Sequence, residues 1–168
     1  MANQIEQKDI LKHLKKAKTL MLTTDSDEGL RARPMSLVQD FYDGELYFFT
    51  NADSKKVEEI EDEHKVCVSG TNASDKAYFS LTGRATLTRD EKLIDKFWNP
   101  VVASWFPEGK EDRSCALLKV RVESVDVWES ESNPLFFWYE VFKAKIVDEI
   151  PDVGELKHRD EQGSHAPN

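Results

Sequence analysis

The sequence predicts a mainly β fold of the α+β class: six strands in a small antiparallel barrel, with helices at its periphery. Three observations carry this. Short segments rich in β-branched and aromatic residues follow one another through turn signals, which argues for antiparallel neighbours. In 116–128 the apolar Leu118, Val120 and Val122 alternate with Lys119, Arg121 and Glu123, the period of a half-buried strand. A long strand pattern over 77–88 is broken by Gly83, and such a glycine marks the bulge or bend with which small barrels turn.

Residues 5–17 place Ile10, Leu11, Leu14 and Ala17 at helical spacing among Lys and Glu, predicting an amphipathic helix. Thr19–Thr24 is short and β-rich. Asp25–Gly29 is a turn, and 30–39 resumes a strand. Asp43-Gly44 is a hairpin signal before the strand Glu45–Thr50. A short helix is predicted from Ser54 to about Glu63, then a strand over His64–Thr71, the turn Asn72–Asp75 and the long strand Ala77–Thr88. Residues 90–106 read as helix interrupted at Asn99-Pro100, since the residue before proline avoids the helical region. Pro107-Glu108-Gly109 is a loop, and Ala116–Trp128 is the last strand. Asn133-Pro134 then starts a helix expected to reach about Val147, apolar nearly all round at 135–142 and so either deeply buried or at a subunit interface. This divides the chain into a domain over 1–150 and a polar, loose tail over 151–168.

Composition excludes several classes. Twenty-three basic against 32 acidic residues give a net charge of −9, and phosphate backbones repel such a surface, so nucleic-acid binding is not expected. No apolar run approaches the ~20 residues of a membrane span. Met1–Glu6 lacks the basic flank and apolar stretch of a secretory signal. Cys67 and Cys115 lie in apolar segments and read as small buried hydrophobes, with one disulfide between them left open; a reducing, cytoplasmic setting is expected. His13, His64, His158 and His165 show no metal-ligand spacing, and His13 and His64 are expected at the surface. No Gly-rich dinucleotide fingerprint and no nucleophile elbow occurs. Any chemistry therefore falls to a cofactor.

Two segments point to a ligand. In Thr50–Lys56 a strand runs into a helix with Ser54 as its N-cap and Lys55 and Lys56 in its first turn, while five acids crowd toward the other end. That charge order opposes the helix dipole, and a bound phosphate at the N-terminus would reverse the penalty. A Lys55–Glu59 pair on a solvated helix explains the same residues without a ligand. In Arg31-Ala32-Arg33-Pro34-Met35 proline confines the strand to an edge, and the two arginines share one face. A flat, partly anionic ligand could lie there; an edge protected against aggregation is the alternative. Trp98, Trp105, Phe106, Trp128 and Trp138 could stack on an aromatic ligand or fill the core.

Arg33-Pro34-Met35, Leu46–Asn51 and Ser54-Lys55-Lys56, in this order, resemble the FMN-binding split barrels related to pyridoxamine 5′-phosphate oxidase. Phe97–Pro100, Trp105–Asp112 and Val125–Glu129 look like the bacterial general stress protein branch. The resemblance spans about residues 5–157. It implies a six-stranded split barrel that dimerises with flavin at the interface, FMN rather than FAD being the first expectation. Ser54, Lys55 and Lys56 would hold the phosphate, Phe49 and Thr50 would end their strand against the flavin, and Arg33, Pro34, Met35 and Ser36 would run beside the ring. Trp98, Trp105 and Trp128 match the branch's aromatic positions, from the same or the partner subunit. The implied function is a flavin-dependent oxidoreductase of unassigned substrate linked to stress response, with a non-catalytic flavin carrier or sensor as the alternative. Asp112-Arg113 stands where the branch shows Asp-Pro. The Arg/His-rich C-terminal substrate segment of true pyridoxamine phosphate oxidases has no counterpart, which argues against vitamin B6 oxidation.

Overall fold

The computed structural model describes residues 3–17, 19–25, 29–53, 64–130, 141, 143 and 154–161. The elements are β1 (Asn3–Gln4), α1 (Gln7–Lys16), β2 (Leu20–Thr24), β3 (Arg31–Met35), β4 (Glu45–Asn51), β5 (His64–Asn72), β6 (Ala77–Thr88), α2 (Glu91–Phe97), α3 (Pro100–Ala103), a 3-10 turn at Gly109–Glu111, β7 (Cys115–Ser130) and β8 (Gly154–Asp160). The six strands expected from the sequence are β2 to β7. The helix expected over 54–63 lies outside the described residues, as does that over 133–147 apart from Val141 and Lys143, which are helical.

The sheet runs β1-β8-β7-β6-β5-β2-β3, with β4 also on β7. All pairings are antiparallel except β1 with β8. One edge of β7 is shared end to end: β4 takes Cys115–Arg121 and β8 takes Ser124–Ser130. The register slips where that change occurs, between Thr82 and Gly83 of β6. A Cβ on Gly83 would sit 2.1 Å from the carbonyl oxygen of Arg121, so only glycine lets the two backbones approach. The strand continues through this bulge rather than ending there.

Between β3 and β4 the barrel is split. Among the described residues these strands share no ladder; the chain after β3 closes the gap instead. Val38 N donates to Tyr47 O at 3.3 Å. The buried amide of Gln39 mimics a strand: Oε1 accepts from Tyr47 N at 2.7 Å, and Nε2 donates to the carbonyls of Glu45 at 2.6 Å and Phe41 at 3.1 Å.

The core has two compartments. Leu22, Val68, Leu81 and Val125 form one rung across β2, β5, β6 and β7 and are fully buried, with Phe48 and Leu118 beside them in the interior. Each such side chain contributes roughly 1.5–3 kcal/mol by leaving water. α1 adds Ile10 and Leu14 to this interior, with Ala17 just past its end. On the outside of β4 and β7, Tyr47, Cys115 and Leu117 pack under Ile94, Phe97, Val102 and Phe106 of the α2–α3 region. β4 is thus covered on both faces, which is why Leu46–Phe49 is a continuous apolar run rather than an alternating one.

Three expectations are corrected. The tail beyond Pro151 is not loose over Gly154–Asp160, where β8 completes the sheet; its alternation is polar because neither face enters the core. His13 is not a surface residue but 2% exposed: it falls at i+3 from Ile10, on the apolar stripe of α1. Cys67 is half-buried on the outer face of the sheet, beside Ser80, whereas Cys115 is buried as expected; both are free thiols.

Candidate functional site at the split

The segment from β3 to the end of β4 carries one set of the predicted residues, although the two strands share no ladder among the described residues. β3 is an end strand, so Pro34, opposite Met21, removes no ladder bond on its outer side. Arg33 points the other way, half-buried, and its Nη1 donates to Thr24 Oγ1 at 2.8 Å. Met35 is buried in the barrel interior, and Ser36 is exposed just beyond it. The chain just after β3 is tied to Tyr47 of β4 through Val38 N and the Gln39 amide, whereas Met35 itself pairs Leu20 of β2.

Phe49 is half-buried and meets the edge of Trp98, with ring centroids 5.8 Å apart at 81°. Phe106 lies 6.2 Å from both rings. Two caps fix this aromatic wall. Asp90 starts α2 by accepting from Lys92 N and Leu93 N, and Asn99 starts α3 by accepting from Val101 N and Val102 N, with Pro100 at the first helical position. Lys96 Nζ stands 4.4 Å over the Phe41 ring, a cation–π contact on the outer side of the wall. Trp105, after α3, is 78% exposed.

The exit from β4 is also fixed. Asn51 Oδ1 accepts from Asp53 N at 2.8 Å, and Ala52 N donates to Ser114 O at 2.7 Å, tying the chain to the start of β7. Asp112 holds that start by accepting from Ser114 N and Oγ, and those bonds keep its carboxyl below the usual carboxylate range. Ser54, Lys55 and Lys56 follow at once in the chain and lie outside the described residues.

Trp128 is elsewhere. It sits on the outer face of the sheet, 45% exposed, between Tyr78 of β6 and Leu156 of β8. Thr50 pairs Ala116, a dozen residues earlier on β7, so Trp128 is on the order of 40 Å away along the strand. Phe49 and Trp98 therefore mark one end of β7 and Trp128 the other. Among the described residues no group of three or more His, Cys, Asp or Glu could hold a metal. No helix among them is long and apolar enough to cross a membrane.

A second constellation escaped the sequence reading. Asn72, fully buried, accepts from Asp75 N at 3.3 Å through Oδ1, and its Nδ2 donates to Asp75 Oδ2 and to His13 Nδ1, both at 3.1 Å. That amide orientation leaves Nδ1 of His13 as an acceptor and directs its Nε2–H to Glu129 Oε1 at 3.2 Å. Glu129 in turn holds Lys157 of β8 at 2.5 Å, and Asp75 holds Lys12 at 2.5 Å. The signal was available: a histidine on an apolar helical stripe is buried and requires partners.

The mostly antiparallel sheet, split between β3 and β4, defines a split-barrel fold. The family described as pyridoxamine 5′-phosphate oxidase like matches residues 6–152, and the chain belongs to it. Among curated proteins it is similar to protein bli-3 of Neurospora crassa, 26% identical over 86% of this chain and 74% of that protein. Among solved structures it is similar to the general stress FMN/FAD binding protein of Xanthomonas citri, with 29% identity and a TM-score of 0.68 over 76% of this chain and 90% of that one. It is likewise similar to the General Stress Protein 26 of Bacillus anthracis, with 25% identity and a TM-score of 0.62 over 72% and 92%.

Proposed function

We propose that this protein binds FMN at the split between β3 and β4, as a homodimer, and acts as a flavin-dependent oxidoreductase. The observation that carries the reading is the aromatic wall of Phe49, Trp98 and Phe106 on the strand that leads into Ser54-Lys55-Lys56, with β3 and its Arg33 on the other side of the split. These residues fit a flat, anionic aromatic molecule: a half-buried guanidinium, an aromatic wall, and a hydroxyl with two ammonium groups next in the chain. The name of the Xanthomonas citri relative supports flavin as that molecule. When bound, flavin supplies two-electron exchange at its ring. The chain's own residues bind and orient it. Arg33 supplies positive charge beside it, and Trp98 with Phe49 and Phe106 excludes water from one side. The separation of Trp128 from this cluster favours a shared site, in which Trp128 serves the flavin of a second copy.

The visible spectrum of the purified protein tests this. A two-banded flavin spectrum is expected, with FMN at about one per chain in the supernatant after heating; FAD there would replace FMN in the reading. The double variant Lys55→Ala/Lys56→Ala should lose the flavin and, with it, a ligand-linked stability of about 2.7 kcal/mol at 100-fold saturation. A colourless protein that takes up no added FMN would overturn the proposal.

A non-catalytic flavin carrier is the second reading, favoured by the C-terminal strand. The basic residues there are engaged within the fold: Lys157 with Glu129, His158 with Asp126 and Arg159 with Glu161. They are spent on holding β8 rather than on a substrate phosphate. Reduction by a nicotinamide donor and reoxidation by an acceptor at a useful rate distinguishes enzyme from carrier.

A further inference from the structure

The way β8 is attached differs from that of the central strands of the sheet. β2, β4, β5, β6 and β7 each place fully or nearly buried apolar side chains in the core. β8 places none. Gly154, Glu155 and Leu156 are exposed, and Lys157, His158 and Arg159 are half-buried. Its side chains reach the body of the sheet through charge. Lys157 Nζ meets Glu129 of β7 at 2.5 Å, and Glu155 on its own strand at 4.0 Å. His158 Nδ1 meets Asp126 of β7 at 2.7 Å, and its Nε2 meets Asp160 at 3.2 Å.

The far end is different. The Glu161 side chain is only 4% exposed. It pairs with Arg159 Nε at 2.8 Å and accepts from Tyr42 Oη at 3.3 Å, while its backbone N donates to Glu123 O at 2.8 Å. Arg159 Nη1 also donates to Ile5 O at 3.4 Å. Burial together with Glu161 raises the Tyr42 hydroxyl, so this anchor stays protonated across the physiological range.

We propose that Gly154–His158 is an ion-held strap, hinged at the buried Glu161 anchor, that peels from β7 while the rest of the barrel stays folded. Peeling bares the β7 edge over Ser124–Ser130, and with it Trp128, whose neighbour on that side is Leu156. It also frees β1, whose register partners are Lys157 and His158. Half-exposed ion pairs are screened by salt, whereas buried apolar contacts are not, so the strap and the core respond oppositely to ionic strength. pH acts on the same contacts. The groups that face His158 are Asp126 across the ladder and Asp160 on its own strand, and both raise its affinity for a proton. The strap is therefore tightest on the acid side of neutrality and loosens as the imidazole loses its charge. Glu129, which also faces His13 Nε2 of α1 at 3.2 Å, and Lys157 stay ionised through that range, because each holds the other in its charged form.

Residue-resolved hydrogen exchange on the full-length protein tests this, with rates corrected for intrinsic pH dependence. Raising NaCl from about 0.05 M to about 1 M should speed exchange of the β8 amides before Arg159 by about tenfold, with β6 amides unchanged or slowed. The double variant Asp126→Asn/Glu129→Gln should show the faster exchange already at low salt, with an unchanged far-UV spectrum. Raising the pH from about 6 to about 9 should move the native protein the same way. If the β8 amides open only together with those of β6, or if salt leaves them unmoved, there is no strap. The readout requires no flavin, so it stands or falls apart from the function proposed above.

Discussion

Replacing Gln39 by leucine keeps the volume of a buried side chain and deletes its amide. Three backbone groups lose their partner at once: Tyr47 N, Glu45 O and Phe41 O. Tyr47 is buried in β4, so its N–H has no water to turn to. An orphaned buried group costs about 1–3 kcal/mol, and the Phe41 carbonyl, in a half-buried loop, is the cheapest of the three to resolvate. The expected loss is therefore about 3–5 kcal/mol, a large share of the 5–15 kcal/mol that holds a typical domain. Urea unfolding should show a lower midpoint with the slope unchanged. Glutamate at the same position sharpens the test. Its carboxylate can still accept from Tyr47 N, but its second oxygen faces the Glu45 carbonyl and requires a proton. That geometry raises the folded-state pKa of the introduced acid, so the protonated bond is fully present below the unfolded value near 4.3 and is lost as pH rises through the raised value. Gln39→Glu should thus recover stability relative to wild type on acidification, where Gln39→Leu should not. A Gln39→Leu protein within about 0.5 kcal/mol of wild type would refute the view that this amide closes the split.

Gly83→Ala forces a Cβ onto the Arg121 backbone, where no side chain can swing aside; about 3 kcal/mol or more, a fall of roughly 6–12 °C in Tm, is expected by calorimetry. His158 should titrate above the ordinary histidine value by NMR, and Asp126→Asn should bring it back down. Because the folded value is the raised one, the pair stabilises fully below about pH 6.5 and fades above, so the fall in Tm between about pH 6 and 9 should flatten in that variant. His13→Leu leaves Asn72 Nδ2 short of one acceptor and should cost about 1–3 kcal/mol. Combined with Asn72→Ala the losses should fall short of additive by at least about 0.5 kcal/mol, and strict additivity would mean that the two side chains do not act together.

The local signals of this chain were informative wherever period and turn chemistry agreed. Val66/Val68, Leu118–Val122 and Leu46–Phe49 mark strands at their observed places, and Asn99-Pro100 divides two helices as its cap requires. The pairing that the Asp43-Gly44 signal implies between the strand over 30–39 and Glu45–Thr50 does not form: β3 ends at Met35 and shares no ladder with β4 among the described residues. What escaped depends on partners distant in sequence. Gly154–Asp160 reads as a polar tail because its pairing with β7 and its ion pairs with Asp126 and Glu129 are not visible in its own composition. Gln39 reads as one more polar residue at the end of a strand, since only the split makes its amide a substitute for ladder bonds. His13 escapes for a different reason. Its residue type outweighed its position, although Ile10 and Leu14 had already marked the buried face.

The parallel pairing of β1 with β8 has a consequence for the order in which the molecule assembles. Asn3 meets Lys157, and Arg159 reaches Ile5 across a sequence separation of 154 residues. Such a contact closes a loop the size of the whole domain, and it comes with few buried atoms to offset the entropy of closure. The hairpins β2–β3 and β5–β6 close loops many times shorter. Assembly therefore runs from the middle of the chain outward, with the strand pair that joins its two extremities added last and, on unfolding, given up first.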